Sequence, residues 1–175
     1  LHPLGGYKEW VQNHGFRCDE LASALGLQAW LDEGERPFDA LAVRLELRQR
    51  YSAAEKQRPR VHPHAIMRNN TQRLAALANL SPVDAQILAF ACAIHQEPLL
   101  ELAADYLGNL SSARVAACLA VILDFPMQDI RTALAPQAVL SRTGLVVLDR
   151  HGPRQLRGCL DLLSANFADR MHSDW

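Results

Sequence analysis

The run Ser81-Pro-Val-Asp-Ala-Gln-Ile-Leu-Ala-Phe-Ala-Cys-Ala-Ile94 constrains this chain more than any other stretch. Ser81 offers an acceptor to unpaired backbone N–H groups, Pro82 suits the first helical position, and Asp84 stands where a capping box needs a side chain that reaches back. A helix therefore starts here. Its apolar residues Ile87, Leu88, Phe90, Ala91, Cys92 and Ile94 are spread nearly all round the axis rather than along one stripe. Such a helix needs neighbours on every side, and the second half of the chain must supply them.

The segments that follow read as those neighbours. Pro98 to Gly108 predicts a helix with Leu99, Leu102, Ala103 and Tyr106 on one face and Gly108 as its left-handed stop. Leu110 precedes the cap Ser111 and staples onto Val115; the next helix, to Phe125, carries the stripe Ala116, Leu119, Ile122, Leu123. Pro126 opens a third helix, to Ala135, with Ile130 and Leu134 inward. Leu140 and Leu145 to Leu148, with the β-branched pair Val146-Val147, then lead round His151-Gly-Pro153 to an alternating return strand, Leu156, Gly158, Leu160, Leu162. Ser164 caps a last helix through Asn166, Phe167 and Met171. Helix, helix, short helix and hairpin is the order of a winged helix.

Upstream, Ala65 to Ala78 predicts a helix with Ile66, Leu74 and Leu77 apolar, its first half weakened by Asn69-Asn70-Thr71. Arg58-Pro-Arg-Val-His-Pro63 is an extended connector, because the residue before a proline resists the helical region. Before it, a surface helix runs from Pro37 through Phe38, Leu41, Ala42 and Leu45 towards Tyr51. A shorter one starts at Asp19 with Leu21, Ala24, Leu25 and Gln28 on one face, which Trp30 and Leu31 close before Gly34. The phrase from Asp19 to Leu27 also has the form of the first helix and turn of a helix-turn-helix, a form many helices share. Residues 1–14 show no sustained period beyond a short helix at Lys8 to Asn13. The expected fold class is mainly α, a helical bundle followed by a winged-helix-like segment with a small β-hairpin, divided into an N-terminal helical subdomain, 1–60, and a domain over 61–175.

Composition narrows the classes. With 49% apolar and 21% charged residues the chain is built to fold. It holds no run of about 18 uncharged apolar residues, so no membrane partner is expected. Cys18, Cys92, Cys118 and Cys159 form no CxxC pair, and as buried thiols they fit a reducing cytoplasm. The chain opens at Leu1 without the order of a signal peptide, which reads as a trimmed or cut chain. Charge is uneven: residues 44–73 carry eight Lys and Arg against two acidic residues, a basic belt that a solvated helix face explains adequately.

Leu74-Ala-Ala-Leu77, Leu80-Ser-Pro-Val-Asp-Ala-Gln-Ile-Leu88, Ala120-Val-Ile-Leu123, Leu134-Ala-Pro-Gln-Ala-Val-Leu140 and Thr143-Gly-Leu-Val146 follow one another in an order that resembles the region N-terminal to the ATPase module of a group of bacterial AAA-type ATPases. The resemblance covers roughly residues 64 to 170 and rests mostly on leucines. It implies a non-catalytic regulatory domain that engages a substrate or partner protein beside its own downstream motor. The motor itself is not in the sequence: no GxxxxGK[ST] loop occurs, and Lys8 and Lys56 are the only lysines. ATP and Mg are therefore expected only in a downstream module, with no cofactor in this chain.

No catalytic constellation stands against that reading, and the chain is not expected to be an enzyme. His62 and His64 form a His-x-His pair, but without a nearby Cys or carboxylate cluster they read as loop histidines rather than metal ligands. His95 reads as a stabilising histidine at a helix end. Ser52, Ser141 and Ser164 lack a nucleophile elbow, and Cys118 sits mid-helix. The rival is a winged-helix DNA-binding transcriptional regulator, whose third helix would read bases and whose wing would hold phosphates. Gln128 and Arg131 are the candidates on the helix, opposed by Asp129; Arg142, Arg150, Arg154 and Arg157 surround the wing, with Asp149 negative. These six are the candidate partner or phosphate contacts. A protein partner is expected over nucleic acid, whose binding should be weak.

Overall fold

A computed structural model describes residues 10–11, 20–31, 37–57 and 64–174. The proposed cap at Asp19, Cys18, His62 and the connector prolines 59 and 63 lie outside these residues. The chain divides into two compact units, Leu1–Val61 and His62–Trp175.

In the first unit, Trp10 and Val11 are helical and buried. Helix α1 spans Glu20–Ala24 and stops as Gly26 turns left-handed at φ +73°, where its N–H donates to Ser23 O; Leu27 N–H donates to Ala22 O. A 3-10 turn, Gln28–Trp30, follows instead of the second α-helix a helix-turn-helix requires. The buried side chains are Leu21, Ala22, Leu27 and Trp30, whereas Ala24, Leu25 and Gln28 are exposed, so of the expected face Leu21 and Trp30 are covered and the three residues between them are not. Early termination at Gly26 changes the phase of everything after it.

Helix α2 spans Ala40–Gln57. It starts three residues after the expected Pro37 and is capped by Asp39, whose Oδ1 accepts from Leu41 N–H at 2.8 Å. The expected apolar face is not the covered one: Leu41 and Leu45 are 68% and 59% exposed, and Val43 is the buried residue. Polar contacts set the phase. Trp30 Nε1 donates to Glu46 Oε2 at 2.8 Å, and Arg50 Nη2 reaches both Glu46 Oε1 and Gly26 O, so positions 43, 46 and 50 face the rest of the unit.

The second unit contains α3 (Ala65–Ala78), α4 (Pro82–Gln96), α5 (Pro98–Asp105), α6 (Ser112–Leu123), α7 (Met127–Ala133), α8 (Val139–Thr143), strands β1 (Val146–Leu148) and β2 (Leu160–Leu162), and α9 (Phe167–Met171). It is mainly helical with a two-stranded antiparallel sheet, in which Val146 faces Leu162 and Leu148 faces Leu160. Helix α4 touches every other named element of the unit. Its capping box is formed in both directions, Asp84 N–H to Ser81 Oγ at 3.2 Å and Ser81 N–H to Asp84 Oδ2 at 2.9 Å. Ile87 through Cys92 and Ile94 are all buried, and α5 leaves its end at a bend of 97°. No single helix among the described residues is long and apolar enough to cross a membrane.

Around α4 several expected faces are corrected. In α3 the buried residues are Met67, Asn70 and Thr71, while Leu77 is 79% exposed. Asn70 does not weaken the helix: its Nδ2 donates to Met171 O and Ser173 O, satisfying carbonyls that α9 leaves orphaned at its end. Ala104, not Leu99 or Tyr106, is the buried residue of α5. On α6, Leu110 and Val115 are buried as a staple requires, as are Ala116, Cys118 and Leu119, but Ile122 is 41% exposed. Leu140 belongs to α8 and not to a strand. The return strand begins late because a 3-10 turn, Arg157–Cys159, precedes Leu160, and Asn166 rather than Ser164 adjoins α9. Gly158 carries no side chain to pack in a strand, which favours the tighter turn. Ile130 and Leu134 of the third helix face inward as expected.

Candidate partner-binding face

Between α5 and α6, Leu110 forms a bridge with Arg154, N–H to O at 2.8 Å in one direction and 3.3 Å in the other. The hairpin's return arm is thereby pinned to the start of α6. From this frame the six candidate residues separate into two groups by what their side chains do.

The first group is occupied. Arg150 Nη2 donates to Leu134 O, the carbonyl at the end of α7, at 3.0 Å. Arg154 Nε lies 3.1 Å from Asp149 Oδ2, and the Asp149 side chain is only 5% exposed. Asp149 Oδ1 also accepts His151 N–H at 2.8 Å, so this carboxylate shapes the turn that follows β1 and relies on Arg154 for part of its compensation. Arg157 Nη1 donates to Glu101 Oε1 at 2.6 Å and Nε to His95 Nδ1 at 3.4 Å. His95 Nε2 lies 3.0 Å from Leu160 O; a carbonyl can only accept, so Nε2 holds the proton and Nδ1 is the acceptor. His95 thus ties α4 to β2, a role beyond the helix-end histidine expected of it.

His95, Glu101, Arg154 and Arg157 line an open cleft of about 580 Å³ with Asn109, Gln155 and Asp161. Near it, the Asp105 carboxyl is held above the usual range by burial first and by Glu101 second, against a smaller opposing pull from Arg157. The cleft mixes both signs of charge and its arginines already have acceptors. That is a structural clasp joining α4, α5 and the hairpin, in which the charges of Arg154 and Arg157 are paired with carboxylates.

The second group is unoccupied. Gln128 and Arg131 are exposed three residues apart on α7, so they share a face, and Arg142 is exposed on α8. Among the described residues their side chains form no hydrogen bond or ion pair. Next to Gln128 lies an apolar corner that the sequence reading missed. Val121 and Ile122, at the end of α6, and Met127, at the start of α7, are 48%, 41% and 42% exposed. Ile122, expected in the core stripe of α6, is among these exposed residues.

The thiols are inert by position. Cys92, Cys118 and Cys159 are free and buried, and burial pushes the Cys92 thiol up to about 12. Among the described residues no group of three or more His, Cys, Asp or Glu could hold a metal ion, and His64 is exposed beside α3. Comparison with known protein families, curated proteins and solved structures finds no match to this chain.

Proposed function

We propose that the second unit is a winged-helix-like, non-catalytic module that engages a protein partner, and that it serves as the N-terminal regulatory region of an AAA-type ATPase whose motor lies further along the native chain. The element order α5, bridge residue Leu110, α6, α7, β1, β2, with the five-residue α8 inserted before β1, supports the winged-helix part. The observation that carries the partner part is the spending of the wing arginines inside the unit, on Leu134 O, Asp149 and Glu101, while the apolar Val121, Ile122 and Met127 stay exposed beside α7. A phosphate-binding wing would instead hold its guanidinium groups clear of carboxylates, whereas Arg154 and Arg157 are paired with Asp149 and Glu101. Buried free thiols favour a reducing compartment, the cytoplasm.

The test is titration of fluorescent duplex DNA with the full chain across a salt series. We expect weak binding at about 0.15 M salt with no sequence preference, and no saturable ATP binding at micromolar concentration in the absence of a phosphate-cradling loop. The free side chains of Gln128, Arg131 and Arg142 favour the second reading, a DNA-binding transcriptional regulator. A sequence-selective nanomolar complex lost in the Gln128→Ala, Arg131→Ala double variant would establish that reading instead. Extension of the native reading frame past Trp175 into a GxxxxGK[ST] loop would support the ATPase assignment, and its lack would sink it.

A further inference from the structure

No further inference is drawn: the strongest candidate, the solvent-facing side of α2 where Leu41 and Leu45 stand beside Arg48 and beside Arg44, whose buried Nε has no hydrogen-bond partner among the described residues, is an unpartnered apolar face, and nothing in the structure shows what covers it.

Discussion

Replacing Asn70 by aspartate tests whether a side chain amid a polar run fastens the last helix to the unit. The two side chains have nearly the same shape, so no cavity opens, and the change isolates hydrogen bonding. Asn70 is 3% exposed, and its Nδ2 donates to Met171 O at 3.1 Å and Ser173 O at 2.9 Å. Loss of two hydrogen bonds at about 1 kcal/mol each, with a buried carbonyl left unpaired, amounts to about 2–3 kcal/mol. Aspartate adds oxygen facing oxygen and a buried charge without a donor, so about 3 kcal/mol is the expected minimum at neutral pH. For a domain of roughly 100 residues this lowers the melting midpoint by about 12 °C. Far-UV circular dichroism gives the midpoint, and hydrogen exchange of the amides over 171–174 shows whether the loss is centred on α9. A midpoint within about 2 °C of the parent, with α9 amides equally protected, would refute the claim that Asn70 fastens that helix.

The remaining predictions use the same unit. Leu88→Ala and Leu119→Ala, at positions that are both 0% exposed, should each cost about 2–5 kcal/mol in urea unfolding; variants that unfold like the parent would mean these helix faces are not core. Arg154→Ala strips a partner from the nearly buried Asp149 and should cost about 1–2 kcal/mol, kept low because the arginine is 57% exposed, while Arg131→Ala and Arg142→Ala should stay within about 0.5 kcal/mol. Equal effects at all three would erase the division between occupied and unoccupied arginines. Because the folded Asp105 carboxyl lies above its ordinary value, ionisation opposes folding, and stability is lost as pH rises from the unfolded value through the folded one. Asp105→Asn should therefore raise the midpoint at pH 7, with the gain vanishing near pH 3; a gain independent of pH would point to a cause other than charge.

What the sequence determined by itself is the central helix. Ser81, Pro82 and Asp84 act within one turn, and an apolar surface all round the axis has one solution, burial on every side, so the place of α4 needs no knowledge of its neighbours. The mainly helical class and the short hairpin followed from similarly local signals. The tertiary structure decided the faces of the weaker helices, because several faces of one helix offer comparable apolar area and distant polar groups choose among them. Glu46 is selected by Trp30 and Arg50 and leaves Leu41 and Leu45 outside; Asn70 is selected by the carbonyls at the end of α9 and leaves Leu77 outside. The hairpin shows the same dependence: Arg150, Arg154 and Arg157 resemble free cations in sequence, and only the fold brings Leu134 O, Asp149 and Glu101 within reach of them. The exposure of Val121, Ile122 and Met127 was equally illegible, since an apolar residue near a helix end carries no mark of which side will be covered.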